Sequence, residues 1–584
     1  MSCFGESVYA SLAQLSVQGQ ANELLKTHKV GELDVFSSAF FTHPSFASGF
    51  IRCGDIAQMT PEAGGNVVFQ PPRSFDVVHD CFVLLELPGL VQLTADGKEV
   101  LPDGQNPRYT LSGKVNANQN GLETAGASLT TTADFGGVAS PCTSIPNGLT
   151  LTDGTTTFTN NAGTWASSQA LAAAAGADVS FTVTAFGAHA PHVYANTEDL
   201  AQYVYAAGQY AIQKCILEIG GSAIDEVTSE WLFINEELHG KVGRRLQDMI
   251  LKVPGAMHTR STIRNRLYVP MSFWFTGGDL SRALMTIALQ LHRIDFRVTF
   301  RKLSELIANY NSTINVWTPG ANGKRSGAAT AKATTVSARN GEEVGRDTRT
   351  NFTNAVRASG ANAQHVYFGG PAIGHELLAY VGAEFHGCFL NSTTRARYLK
   401  LQSQQLFFTV QEEVHQPTNN GEQNYKVPFK NAVFEIIAAV RSKGVFGATD
   451  PWKFGGTAAD ASTGLHDDAL RRLSFSLSST PRTLRNLEAQ YYRTVTQFMT
   501  ADTASDLKGL YYWPIMTREF LNGTRIVSSF INCSKIDDIR IQYQLNTADY
   551  NGNSLSKDNT SVHFFARAWN LLSIKNSMAG KMFQ

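Results

Sequence analysis

Residues 266–300 read RLYVPMSFWFTGGDLSRALMTIALQLHRIDFRVTF, and they constrain the fold more than any other stretch of the chain. The run closes in strict alternation: Ile294, Phe296, Val298 and Phe300 fall on one side, Arg293, Asp295, Arg297 and Thr299 on the other. Successive side chains of a strand point to opposite faces, so this period of two predicts a strand with one face buried. An earlier apolar run, Leu267, Tyr268, Val269, Phe273, Trp274 and Phe275, is separated from it by Gly277-Gly278. Paired glycines punctuate such runs, so the stretch predicts two strands of one β-sandwich joined by a short helical or irregular step. Phe273, Trp274 and Phe275 are expected in a core or an intersubunit contact, with a sugar-stacking platform as the alternative.

The same signature recurs on both sides. NVVFQPP and SFDVVHDCFVLLELPGL read as two strands split by Pro71-Pro72, and the nearly continuous apolar run from Cys81 to Leu87 predicts burial on both faces. QYAIQKCILEIGGSAIDEV predicts a strand that ends in a tight turn at Gly220-Gly221, and residues 241–264 read as a polar connection. In the second half LFFTV, KVPFKNAVFEIIAAVR, GLYYWPIMTREF and VHFFARAWNLLSI carry strand patterns, with a polar helix-like segment before the first. Ile539, Ile541, Tyr543 and Leu545 alternate with polar residues as an edge or one-side-exposed strand. Two segments break the pattern. Residues 98–198 are rich in Thr, Ala, Gly, Ser and Asn, which predicts a small β-subdomain or a large surface insertion. Residues 311–364 have few large apolar residues and predict an exposed loop or linker.

A chain of 584 residues exceeds one ordinary core, so at least two domains are expected. Lys+Arg and Asp+Glu are both 49, and a net charge of zero offers no basic field for nucleic acid. The seven cysteines (Cys3, Cys53, Cys81, Cys142, Cys215, Cys388, Cys533) show no CxxC pairing, which argues against a disulfide framework or zinc site and for a reducing compartment. The first residues lack a basic segment followed by an apolar core, and no apolar run is long enough for a membrane helix. A soluble, cytosolically made protein is expected.

No phosphate loop, dinucleotide fingerprint, nucleophile elbow or His-Glu-x-x-His occurs, and His375-Glu376 lacks the second histidine. His189 and His192 have ligand-like spacing but no acidic or cysteine companions, so exposed loop histidines are expected. Asp225, Glu226, Glu236 and Glu237 could supply the two carboxyls of a glycosidase, although acidic residues of a turn and an open face explain them more simply. Six Asn-x-Ser/Thr sites (Asn311, Asn351, Asn391, Asn522, Asn532, Asn559) are expected to stay unmodified by the secretory machinery. Catalytic, cofactor-binding and metal residues are therefore expected to be none.

Several blocks, in order, resemble the major capsid proteins of the nucleocytoplasmic large DNA viruses. They are the Phe40-Phe41 pair, Asp76-Val77-Val78-His79 leading to Leu85-Glu86-Leu87-Pro88, and Ile219-Gly220-Gly221 followed by Ile224-Asp225 and Trp231. Val269-Pro270 before Phe273-Trp274-Phe275, then Ala288-Leu289-Gln290 and His292, is the most recognisable block. Residues 389–416 and 426–441, then Trp569-Asn570-Leu571-Leu572 and Ser577-Met578-Ala579-Gly580, continue the resemblance to the end. The resemblance implies an all-β chain of two tandem eight-stranded antiparallel jelly rolls with long loops and a few short helices. It implies an N-terminal arm over 1–30, a first jelly roll over 31–305 with 98–198 as a surface insertion, a linker over 306–370 and a second jelly roll over 371–584.

The function implied is structural rather than enzymatic: a virion protein forming homotrimeric pseudo-hexagonal capsomers that tile an icosahedral shell. Partners would be further copies of itself, minor capsid proteins and an inner membrane beneath the shell, without direct nucleic acid binding. The site of action would be the virion capsid, assembled in host cytoplasm. Alternatives are a double jelly-roll scaffold of a transient membrane-associated lattice, or a β-sandwich carbohydrate-binding protein or glycoside hydrolase. A vertex or minor capsid subunit with one jelly roll fits the doubled pattern poorly.

Overall fold

In the computed structural model Ile294–Phe300 is a strand with Ile294, Phe296, Val298 and Phe300 buried, as the alternation requires. The earlier run opens as strand Asn265–Pro270, and 3-10 turns Leu280–Arg282 and Thr286–Ala288 carry the chain across to the facing sheet. The structure describes most of residues 46–583; residues 1–45, 339–376, 443–450, 453–467, 501–508, 547–556 and shorter loop stretches lie outside the description. The N-terminal arm, Phe40-Phe41, Cys3, Cys142, His189, His375-Glu376, Asn351, Asn522 and Asn559 fall outside it.

Two four-stranded antiparallel sheets form the first sandwich. One orders Phe46–Met59, Ala379–Leu390, Val77–Leu87 and Asn265–Pro270; the other orders Ser222–Thr228, Ile212–Ile219, Ile294–Phe300 and Asn66–Phe69. Counted by place in the chain, the sheets run 1-8-3-6 and 5-4-7-2, the winding of a jelly roll. The second sandwich repeats it: Ser403–His415, Thr560–Lys575, Ala432–Ser442 and Leu510–Pro514 face Glu422–Lys426, Ile539–Leu545, Leu470–Leu477 and Thr480–Pro481. Ile539–Leu545 is an interior strand of its sheet, and Arg540, Gln542 and Gln544 take its partly open face. One apolar cluster, with Phe296, Phe385 and Phe275, fills the first sandwich and runs on to Phe407, Ile437 and Phe565 on the outer face of the second, whose interior holds another with Phe475, Tyr543 and Phe564.

Pairing over long sequence distances corrects two expectations drawn from composition. Ala379–Leu390 lies beyond residue 370, yet it sits between Phe46–Met59 and Val77–Leu87 and completes the first sandwich. In a jelly roll the last strand must return between the first and the third, and local composition carries no record of that partner. Residues 313–338, expected within a linker, form strands Thr313–Pro319 and Arg325–Ala338. With Leu90–Thr94, Glu99–Pro102 and His192–Ala195 they close a small barrel. Their Thr- and Ala-rich composition suffices because neighbouring strands supply most of the apolar surface, with Ile314, Val316 and Val336 buried. Between Glu99–Pro102 and His192–Ala195 the insertion builds a seven-stranded sheet around Leu111, Leu151, Phe158, Trp165 and Phe181.

The turn at Gly220-Gly221 has φ of 61° and 81°, the left-handed region that hairpin turns need and that side chains resist. A Cβ at Gly220 would lie 2.7 Å from the His292 ring, whose Nδ1 accepts a hydrogen bond from Ala579 N at 3.2 Å, whereas Gly221 faces open space. Gly220→Ala should therefore cost more than the ~1–2 kcal/mol of left-handed strain alone, and Gly221→Ala no more than that. Chemical denaturation of the two variants checks the difference.

Candidate functional site

The most constructed feature of the chain is the seam between the sandwiches. Helix Ser229–His239 follows directly from strand Ser222–Thr228 and lies against the outer face of the Ser403–His415 sheet of the second sandwich. Trp231, Leu232, Phe233, Ile234 and Leu238 are all buried, because a helix held between two bodies has apolar neighbours on more than one side. The Trp231 ring lies 5.9 Å from Phe565, and the Arg567 guanidinium stacks over Phe408 at 4.3 Å and Phe434 at 5.1 Å. Trp452 stacks on Phe233 at 4.5 Å with parallel rings, and its Nε1 donates to the Tyr205 carbonyl at 2.8 Å. Trp274 reaches Phe407 at 4.8 Å, which places the expected core residue at the junction of both sandwiches.

Charge is buried in the same seam. Arg441 Nη1 donates to Glu230 Oε1 at 2.8 Å, Arg301 Nη2 lies 3.3 Å from the same oxygen, and Ser229 Oγ donates to Oε2 at 2.7 Å. Burial pushes the Glu230 carboxyl up, but Arg441 and Arg301 outweigh it and hold the group below the ordinary carboxylate range. Glu435, fully buried, accepts from Arg567 Nη1 at 2.8 Å and from the Tyr512 hydroxyl at 2.9 Å, with His239 Nε2 3.3 Å away. Thr228 Oγ1 donates to Glu412 at 2.8 Å, and His563 Nδ1 lies 3.1 Å from the same carboxylate. Glu230–Arg441, His239–Glu435 and Thr228–Glu412 cross from one sandwich to the other, so sliding would part them and strand buried charge, and these contacts set the relative position of the two bodies. Their sequence signal was present as lone charges inside apolar strand runs, Glu435 and Arg441 in FEIIAAVR and Arg567 in FFARAW.

The four candidate carboxylates are dispersed over separate environments. Asp225 is buried, Glu226 lies on the opposite side of its strand 3.6 Å from Lys214, and Glu236 and Glu237 both bind Lys252. Desolvation pushes the Asp225 carboxyl up to about 8, against the opposing pull of Lys581 and two backbone N–H groups. Because its folded pKa is raised, the folded state holds a proton that the unfolded chain releases near pH 4. Its contribution is thus full below about pH 4 and is lost as pH rises toward 8. Asp225→Asn should flatten this decline in stability, read as denaturation midpoints at pH 5 and pH 8.

The histidine expectation is corrected: His192 is buried in strand His192–Ala195, with its ring nitrogen 3.2 Å from the Tyr194 hydroxyl, and burial pushes its pKa down to about 4. The strand that closes the barrel draws it inside, away from the loop its composition implied. Among the described residues no group of three or more His, Cys, Asp or Glu could hold a metal ion, and no helix is long and apolar enough to cross a membrane. Cys53, Cys81, Cys215, Cys388 and Cys533 are free thiols. Asn311, Asn391 and Asn532 are exposed, and Asn391 caps helix Ser392–Leu399 by accepting from Thr394 N at 2.9 Å.

Large apolar side chains reach solvent at several places among the described residues, and two of them group such side chains along one element. On strand Phe46–Met59, Phe46 and Phe50 point outward, and on helix Ala489–Thr500 so do Tyr491, Val495, Phe498 and Met499.

Residues 177–337 match the family described as the major capsid protein N-terminus. The chain is 29% identical over 104 residues to "Probable capsid protein 4" of Acanthamoeba polyphaga mimivirus, 18% of this chain and 20% of that protein. It is 27% identical over 115 residues to the major capsid protein of Pyramimonas orientalis virus, 19% of this chain and 28% of that protein. The matched stretch thus spans less than a third of either relative. Among solved structures, the PBCV-1 capsid protein VP54 aligns with a TM-score of 0.53 at 14% identity over 94% of this chain and 100% of its own. The Faustovirus major capsid protein aligns with 0.52 at 12% identity over 98% and 97%. At such identities the structural likeness speaks for the fold: two jelly rolls in tandem.

Proposed function

We propose that this chain is a major capsid protein of the large DNA viruses and assembles as a homotrimer of pseudo-hexagonal outline that tiles an icosahedral shell. The observation that carries the reading is the repetition of one strand order in two sandwiches joined by a buried, charge-paired seam. Three copies about a three-fold axis then present six similar bodies, and the outline approaches six-fold symmetry. The function is geometric: rigid sandwiches supply the walls, and the barrel with its seven-stranded sheet supplies a projecting surface. A net charge of zero spares neighbouring copies long-range repulsion.

On this reading the first jelly roll spans 31–305 together with the returning strand Ala379–Leu390, and the second spans the chain from Ser403 onward. The role assigns no catalytic, cofactor-binding or metal-binding residue. It implies minor capsid proteins and an inner membrane as further partners, and assembly in host cytoplasm. Native mass with negative-stain imaging tests it. A particle of three times 63.6 kDa with hexagonal outline is the expected result, and a stable monomer without that outline would overturn it.

A further inference from the structure

We infer that the exposed face of helix Ala489–Thr500 docks on the outer face of the Phe46–Met59 sheet of a second copy of this chain; the inference rests on the trimeric reading above. The helix is amphipathic in an unusual sense. Tyr491, Val495, Phe498 and Met499 recur at i, i+4, i+7 and i+8, so they form one stripe, and Phe498 and Met499 are 86% and 70% exposed. The opposite side, Ala489, Tyr492, Thr496 and Gln497, is already buried against its own sandwich, where Thr496 Oγ1 donates to the Tyr512 carbonyl at 2.6 Å. A folded chain gains nothing by holding such a stripe in water, and apolar patches of this kind mark interfaces.

The internal repeat identifies the occupant. Helix Ala489–Thr500 lies between the fifth and sixth strands of the second sandwich, Thr480–Pro481 and Leu510–Pro514. In the first sandwich that position belongs to the seam helix Ser229–His239, between Ser222–Thr228 and Asn265–Pro270. The seam helix covers the outer face of the 1-8-3-6 sheet of the neighbouring sandwich, where it buries Phe565 and Arg567. On the corresponding face of the first sandwich Leu84 and Glu86 are buried, but along its edge strand Phe46–Met59 no helix among the described residues covers it. It exposes Phe46 and Phe50, the latter 72% exposed, with the Phe50 ring 5.8 Å from His386 and His386 5.1 Å from Phe82. One exposed apolar helix stripe and one exposed apolar sheet edge, on different sandwiches, make a head-to-tail contact. Such contacts close into a ring when the rotation allows. The junction between copies would then repeat the junction within each chain.

The full-length protein tests this. F498D/M499D on the helix and, independently, F50D on the sheet should each convert trimer to monomer by native mass, with far-ultraviolet circular dichroism unchanged because all three residues are exposed. F498C combined with F50C and treated with a short bismaleimide should give covalent multimers that neither single variant gives. A monomeric wild type would overturn the trimeric reading itself. A trimeric wild type whose variants stay trimeric without cross-linking would overturn only this docking, and so would variants that remain trimers but no longer form sheets.

Discussion

Glu435→Ala is expected to lower stability by about 3–5 kcal/mol, the cost of removing one partner from a buried ion pair. The loss follows from what remains. Arg567, bonded to Glu435 at 2.8 Å, would keep its charge beneath the seam helix, and the Tyr512 hydroxyl would lose its acceptor. Glu435→Gln preserves an acceptor oxygen and should fall between alanine and wild type. Denaturant unfolding followed by tryptophan fluorescence measures both; a shift under about 1 kcal/mol for alanine would mean that the buried Glu435–Arg567 pair contributes little to stability.

Trp231→Ala should cost a similar amount, about 3–5 kcal/mol, for a different reason. Trp231 is 1% exposed, so truncation leaves a cavity between helix Ser229–His239 and the strand that carries Phe565. The interior of the second sandwich is a cluster of its own, whereas the first sandwich's cluster continues into the seam through Phe407, Ile437 and Phe565, so the strands should persist while the junction loosens. Limited proteolysis is the informative readout, with faster cleavage between the sandwiches expected and little change within them. Equal acceleration throughout the chain would show that the seam is not a separable unit.

Both expectations bear on the role proposed above, a subunit of a shell. A pseudo-hexagonal unit made from two bodies per chain keeps its outline only if the angle between the bodies is set. Apolar packing alone tolerates sliding, because it is not directional. Glu230 with Arg441, His239 with Glu435 and Thr228 with Glu412 add the directional part, since each of these crosses from one sandwich to the other and is made in one relative placement.

The sequence by itself determined the elements whose evidence is local. The alternation at Ile294–Phe300, the Gly220-Gly221 turn and the apolar run at Cys81–Leu87 each specify a strand or a turn from neighbours within a few residues. The order of such blocks carried the resemblance and, with it, two jelly rolls. Only the tertiary structure decided which strands pair across hundreds of residues. It placed Ala379–Leu390 in the first sandwich, turned residues 313–338 into barrel strands and drew His192 into a buried position. It also separated Asp225 from the other acidic residues and assembled the seam from residues 230, 301, 441 and 567. The physical reason is the same in each case. Side-chain periodicity records which face of an element is buried, whereas the partner that buries it is chosen by packing and hydrogen bonding between segments far apart in the chain.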